Sequence, residues 1–386
     1  MNQNLSIQIV DSIAQLSAKQ WNAMVEDQHP FISYEFLNTL EKHHCVSEKF
    51  GWLPQHIAVF DSKELVGALP VYEKHNNYGE FVFDQAWEQA WNQIGLAYYP
   101  KLVSATPYTP VMGQRFLISK KLASAEKQTV FKKLYQTYID RCSAQSMSGA
   151  HFLFAESSQQ TWLSQQQDSH LYSRLGFQFH WQNQNYNNFS DFLQNLKPKK
   201  RKNIQRERRL VKEAGVTFRV LDGYQATQQD WENFDFFYQK TFIEKWSTPT
   251  LNADFFKEIG RTMPNNIVLV LADLNDECIA GALMFKSDTH LYGRHWGAAK
   301  DVKNLHFEAC YYQGIEYAIK HKLHTFEPGA GGEHKIARGF TPVEIKSYHW
   351  LPINPFGENL DRFIKEEAQA VKAYLAADEN KSPYLE

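Results

Sequence analysis

The sequence predicts an α/β protein in which one unit, a mixed and mostly antiparallel sheet flanked by helices, occurs twice. Three observations predict it. Short apolar strands joined by polar turns alternate with segments of helical spacing along the chain. Two stretches match without gaps at an offset of 214 residues: Ala58, Gly67, Ala68, Leu69, Tyr78 and Gly79 fall on Ala272, Gly281, Ala282, Leu283, Tyr292 and Gly293, and the same order of elements surrounds both. A strongly basic segment separates the copies. The 386 residues, 43% hydrophobic and 22% charged, suffice for two cores and exclude global disorder.

The first copy, residues 1–189, opens with an alternating strand at Ser6–Val10. Helical spacing follows over Ala14–Val25 and Ser33–His44, with Ser33 placed to cap the second helix. His56–Phe60 and Leu65–Tyr72 form a hairpin across Asp61 to Glu64. Lys101–Ser104 is a strand that leads into a proline-rich loop, Thr106 to Arg115. Ala123–Ser143 is a helix, His151–Ala155 an apolar strand, and Phe177–Phe189 an aromatic, amide-rich strand region. The connecting helix, 190–215, holds nine cations between Lys197 and Lys212 against the single acid Glu207. Pro198 starts this helix, Gly215 ends it, and Ile204, Val211 and Ala214 give it an apolar stripe that docks. The second copy, 216–386, repeats the order: strand Val216–Val220, helices Gln228–Lys245 and Ala253–Met263, hairpin Ile267–Ala272 with Ile279–Phe285, strand His290–Trp296, helix Leu305–Lys320 and a strand end at Thr325–Glu327.

Composition narrows the function classes. Lys+Arg 41 against Asp+Glu 43 gives a net charge of −2, which excludes a chain basic throughout, as dedicated DNA binders are, and leaves room for a local basic patch. No apolar run reaches the ~18 residues of a membrane span, and Met1 to Ser6 has no basic-then-apolar leader pattern. Cys45, Cys142, Cys278 and Cys310 are scattered, which argues against a disulfide framework or a cysteine-rich zinc site. The expectation is a cytoplasmic protein without a metal. Aromatics make up 15% of the chain, and large flat rings line ligand clefts as well as cores.

The second copy carries the densest chemistry. Phe326-Glu-Pro-Gly-Ala-Gly-Gly-Glu-His-Lys-Ile-Ala-Arg-Gly-Phe340 runs from a strand end into a glycine loop, then sets an acid, an imidazole, an ammonium and a guanidinium within six residues. Glycines let backbone amides approach an anion or a carbonyl closely. It is neither a P-loop nor a Rossmann turn, since both spacings fail. Arg294, Gly297 and Ala299 fit the [Q/R]-x-x-G-x-[G/A] pyrophosphate loop of acyl-coenzyme A transferases, although the next helix begins only near Asn304; a strand packing its aromatics is the other reading. In that helix Leu305, Ala309, Tyr312 and Ile315 share the core stripe. The basic helix is either a solvated charge run or a site for the phosphates of a substrate or carrier, with Lys200 and Arg201 as binding candidates; no companion motif of a sequence-specific nucleic-acid reader accompanies it. In the first copy Lys101, Tyr108 and Arg115 are substrate-binding candidates for a cleft shared by the copies, or else turn chemistry.

Together these residues resemble a bacterial family of FemAB-like proteins of the GNAT superfamily, whose members are labelled predicted N-acyltransferases or peptidoglycan biosynthesis/recognition proteins. The resemblance is carried by Ser33-Tyr-Glu-Phe-Leu37, Gly51-Trp-x-Pro-x-His56, Tyr78-Gly-Glu-x-Val-Phe-Asp84, Tyr98-Tyr-Pro-Lys-Leu102, Pro107-x-Thr-Pro-Val-x-Gly113, Lys199-Lys-Arg-Lys-Asn-Ile204, Leu291-Tyr-Gly-Arg-x-Trp-Gly297, Leu305-His-Phe-Glu-x-Cys-Tyr-Tyr312 and Gly332-Glu-His-Lys-x-x-Arg-Gly339. These motifs span nearly the whole chain. The resemblance implies tandem GNAT-like (acyl-CoA N-acyltransferase) domains, no tightly bound cofactor, acyl-CoA or aminoacyl-tRNA as co-substrate, and a small-molecule or cell-wall-precursor acceptor. More distant relatives carry a strand–glycine loop–Lys motif, which places Lys335 in that role.

The function expected is transfer of an acyl or aminoacyl group from an activated ester or thioester to an amine. The reading from a different class is a non-catalytic module that holds a peptidoglycan-like or carrier-linked ligand in the same cleft. Transfer needs a base for the amine, a donor for the oxyanion and a proton for the leaving group. A positioned base supplies typically ~10²–10⁴ in rate, and one oxyanion donor ~10²–10³. Glu333 or His334 is the base candidate, and Lys335 contacts the oxyanion or a phosphate. Arg294 and Arg338 are phosphate contacts, and Tyr312 or Tyr292 reprotonates the leaving group. The acyl group is expected where parallel strands ending at Trp296 and Glu327 splay apart.

Overall fold

The structure, a computed structural model, describes residues 5–379 and 382–385. It divides into two compact units, Met1–Gly176 with Glu344–Lys372, and Phe177–Val343 with Ala373–Glu386. This differs from contiguous blocks bounded at 189 and 216, because the chain changes unit partway along two strands.

In chain order the first unit contains β1 (Leu5–Val10), α1 (Ala18–Asn22), α2 (Tyr34–Lys42), β2 (Trp52–Pro54), β3 (His56–Asp61), β4 (Glu64–Leu69), β5 (Tyr72–Lys74), α3 (Gln85–Gln93), β6 (Lys101–Ser104), β7 (Leu117–Ile118), α4 (Ser124–Ala144), β8 (Ala150–Phe152), α5 (Ser157–Ser164) and the start of β9 (Leu171–Gln182). Ser33 caps α2, its hydroxyl accepting from the Phe36 amide. β1, β3, β4 and β7 form one antiparallel run. β2, β5 and β6 form a second, β6 runs parallel to β8, and β8 is completed by the end of the strand Thr341–Trp350. Val130, Leu134 and Tyr138 of α4 pack on this sheet with Phe152, Tyr348 and Trp350.

The second unit takes the rest of β9, then α6 (Phe189–Gln194), α7 (Pro198–Glu213), β10 (Thr217–Leu221), α8 (Gln228–Glu244), α9 (Ala253–Thr262), β11 (Ile267–Leu274), β12 (Glu277–Lys286) and β13 (His290–Ala298). Next come α10 (Leu305–Phe307), a wide turn (Glu308–Tyr312), α11 (Gln313–Lys320), β14 (Thr325–Glu327), a tight helical segment (Glu333–Arg338) and β15 (Thr341–Trp350). α12 (Glu358–Glu379) begins in the first unit and ends in the second. β10 to β13 are antiparallel in sequence order, β13 is parallel to β14, and β14 pairs with the end of β9. The core gathers Trp181, Phe192, Ile204, Leu291, Tyr312, Ile315 and Phe326. Ile204 and Val211 dock the basic helix, as its stripe requires, and Gly215 ends it with φ +82°.

The two units repeat one plan, hairpin and then a parallel pair, with the matched strands one residue out of step. Each hairpin has a bulge just before its turn, after Val59 in the first unit and after Ala272 in the second. Val59 therefore corresponds to Ala272, where the ungapped match pairs Ala58 with it. A one-residue slip turns a side chain to the other face of a sheet. The matched glycines obey this: a Cβ on Gly67 would strike Val130 of α4, whereas one on Gly281 would strike Phe234 of α8. Tyr78 and Gly79 lie in a loop, unlike Tyr292 and Gly293 in β13. The strand in the place of β13 is β6, reached only after an inserted segment carrying α3. Among the described residues no helix is long and apolar enough to cross a membrane.

Candidate active site

The site grows from the place where β13 and β14 part. They pair from His290↔Thr325 to Tyr292↔Glu327; then β14 stops and β13 continues to Ala298, paired with β12. At the parting point β13 bulges: Gly293 lies opposite Met284 and His295 opposite Leu283, which leaves Arg294 as the extra residue. The glycine loop crosses this gap at close range. A Cβ on Gly329 would lie 3.2 Å from the Gly293 carbonyl, and Gly329, Gly331 and Gly332 have φ of +90°, +67° and +92°.

Lys335 turns back beneath the loop and is 2% exposed. Its Nζ donates to the Gly329 carbonyl at 2.6 Å and to Ala330 at 3.2 Å. Burial lowers its ammonium to about 8. Burial likewise lowers the Arg294 guanidinium to about 10, against the opposing pull of Glu327. Glu327, at the end of β14, is buried, with His180 Nε2 3.9 Å from its Oε2. Burial pushes His180 down to about 3, so its imidazole is neutral.

His334 is exposed, with its ring against Gly332 of the loop. Its Nε2 is 2.9 Å from the Tyr311 hydroxyl, and the rings of His306 and Phe307 flank it. Burial, Arg338 and Lys335 all lower its imidazole, which leaves it neutral and able to take a proton. Glu333 is exposed, and its Oε1 accepts from the Tyr374 hydroxyl at 3.2 Å.

The structure relocates the other expected residues. Tyr312 is buried and its hydroxyl donates to Glu207 Oε2, so burial and that carboxylate hold the phenol above its ordinary range. Arg338 is also buried: Nη2 donates to Glu207 Oε1 at 2.8 Å, Nη1 to the His334 carbonyl at 2.7 Å, and the guanidinium lies over the Phe307 ring at 3.4 Å. Neither faces the gap. Gly297 lies inside β13, where a Cβ would sit 2.1 Å from the Phe237 carbonyl of α8. It is a packing glycine, and the Ala299 amide donates to the Ile279 carbonyl, so the pyrophosphate loop does not form.

In the first unit the expected binding residues are internal. Lys101 is fully buried against Glu80 (2.9 Å) and Asp84. The Tyr108 hydroxyl donates to the Cys45 carbonyl. Arg115 is fully buried and donates to the carbonyls of Leu153, Gln114, Val111 and Phe154. With Gly113 bonded to Phe154 and Glu156, it fills the place beyond β6 and β8 where the second unit has its glycine loop. On α7, Arg201 donates to the Gln194 and Leu196 carbonyls, and Lys200 is half-buried in the first turn.

Sequence reasoning missed Tyr311, His180 and the roles of Glu327 and Glu207. Tyr311 was concealed because the wide turn, with the Gln313 amide reaching back to the Glu308 carbonyl, buries Tyr311 and Tyr312 together. Among the described residues no group of three His, Cys, Asp or Glu side chains is placed to hold a metal ion.

The sequence pattern of the FemAB-like family, described as peptidoglycan biosynthesis/recognition, matches residues 12–386. The chain belongs to the FemAB-like family. This FemAB-like protein shares its fold with FemX, at a TM-score of 0.54 and 12% identity over 89% of this chain and 98% of that one. The C-terminal domain of a putative lysylphosphatidylglycerol synthetase from Agrobacterium fabrum follows at 0.52 and 9%, covering 88% and 92%. A conserved protein of unknown function from Bacteroides thetaiotaomicron has 0.52 and 10%, covering 90% and 100%. At these identities the likeness is one of fold: the FemAB-like chain is a mixed α/β protein of two compact units, with mostly antiparallel strands and flanking helices. No curated protein sequence matches it.

Proposed function

We propose that this FemAB-like protein transfers an acyl or aminoacyl group from an activated ester or thioester to an amine, at the gap between β13 and β14. The observation that carries the reading is a buried ammonium, Lys335, bonded beneath the glycine loop that crosses that gap, next along the chain to the neutral imidazole of His334. The donor carbonyl lies in the gap. The amine nitrogen attacks the carbonyl carbon, and the C=O electron pair moves onto oxygen. Two of the three Lys335 N–H bonds hold loop carbonyls; the third is assigned to the oxyanion. His334 takes the proton that the amine loses. As the intermediate collapses the C–O or C–S bond breaks, and the imidazolium returns that proton to the leaving atom, a role left to it because Tyr312 is engaged with Glu207.

Of the two donors, an aminoacyl ester of tRNA is favoured over acyl-CoA. Gly297 and Ala299 are held in packing against α8 and β12 instead of forming a pyrophosphate loop, while Lys199, Lys202, Arg206 and Arg209 of α7 are exposed to a polyanion. The acceptor amine is assigned to a cell-wall precursor on the family description. The first unit, its own gap filled by Arg115, takes no part in the chemistry.

Replacing Lys335 by Ala tests the reading. Transfer falls at least tenfold while circular dichroism stays that of the folded protein. A folded variant that turns over like the wild type would falsify the role.

A further inference from the structure

We infer that Glu207, the one buried acid of the basic helix, is the positioning residue for His334 and acts on it through Arg338; the inference rests on His334 being the base of the proposed transfer. Glu207 is buried on the docked face of α7, and both its oxygens are used. Oε1 accepts from Arg338 Nη2 at 2.8 Å and from Asn203 Nδ2 at 2.8 Å, and Oε2 accepts from the Tyr312 hydroxyl. One carboxylate thus ties together the basic helix, the wide turn and the tight helical segment that carries Lys335. The other end of the same guanidinium donates to the His334 carbonyl. An arginine fork held in two places fixes the backbone between them, and here that backbone carries the base.

The charge matters as well as the geometry. His334 faces the cations Lys335 and Arg338 on its own segment, and the neutral His306 and Tyr311 on the helix packed against it; Glu333 beside it is bonded to Tyr374. Both cations oppose protonation of the imidazole. Glu207 neutralises one of them. Without that carboxylate Arg338 acts in full on His334, which becomes a weaker base in a less fixed position. A basic helix kept only for polyanions would have no need of a buried acid with three partners, so this acid gives α7 a second task.

The test is the Glu207→Gln variant of the full chain, with the His334 imidazole titrated by NMR and kcat/KM followed against pH. The imidazole midpoint is expected to move down by roughly half to one unit. The acidic limb of kcat/KM should follow it, with the plateau lowered several-fold. A folded variant whose His334 midpoint is that of the wild type overturns the inference. Should Glu207→Gln fail to fold, Arg338→Lys keeps the charge and loses the fork: kcat is expected to drop while KM holds, and an unchanged kcat overturns the inference. The NMR midpoint needs no turnover. A wild type without transferase activity, in which the midpoint still moves, therefore retires the proposed function and leaves the coupling standing.

Discussion

At the scale of residues, His334 and Glu333 compete for one task and differ in surroundings. Both are exposed, but His334 is lowered by partial burial, Arg338 and Lys335, so its imidazole is neutral at pH 7, while Glu333 is bonded to Tyr374. A base works in its deprotonated form, so activity should rise as pH climbs through the lowered His334 value and then level. His334→Asn should remove that limb and cost about 10²-fold in kcat/KM. Glu333→Gln should keep the limb and change the rate little; the opposite pair of pH–rate profiles would give the task to Glu333. A required Lys335 ammonium adds a basic limb near pH 8. The glycine loop and its ammonium were legible in the sequence because loop, imidazole and cation sit within ten residues of one another. The true partners of Tyr312 and Arg338 were not, since Glu207 is 105 and 131 residues away. No local spacing reports an interaction of that range.

At the scale of elements, what the sequence marked well has a local cause. The hairpins follow from alternation and turn residues: Asn275 and Asp276 both take positive φ, as residues of their type tolerate. α2 and α7 follow from caps and breakers. What it marked poorly lacks such a cause. α12 is mostly exposed, so no apolar stripe announced it. Gly297 belongs to the same lesson: a short motif read it as a phosphate contact, and only the packing of α8 shows why glycine is needed. Gly297→Ala would force its Cβ onto the Phe237 carbonyl, so α8 or β13 must shift. The expected cost is about 1–3 kcal/mol, the usual range for overpacking, read as a lowered Tm with the first unit's core unaltered. A melting curve matching the wild type would contradict the close approach.

At the scale of the whole molecule, charge is near balance, −2 in all, so any affinity for a polyanion must be local. The exposed cations of α7 are where the sequence concentrates it. Reversing Lys199, Lys202 and Arg206 to Glu should weaken tRNA binding and leave the fold intact. The slope of log affinity against log salt should shrink by roughly 0.7–0.9 for each phosphate that is no longer neutralised, and an unchanged slope would move the polyanion elsewhere. Two copies of a hairpin-and-helix plan, a basic helix between them and a glycine loop bearing Lys335 are all set by the order of the amino acids. Those features are written in turns, caps and spacings a few residues long. Folding in three dimensions was needed to decide that the end of β9 completes the second unit's sheet and the end of β15 the first's, that the copies are one residue out of step, and that Glu207 reaches the site. Backbone hydrogen bonds between strands are alike whichever residues make them, so the choice of partner is settled by which cores the side chains fill. Trp181 fills one and Trp350 the other.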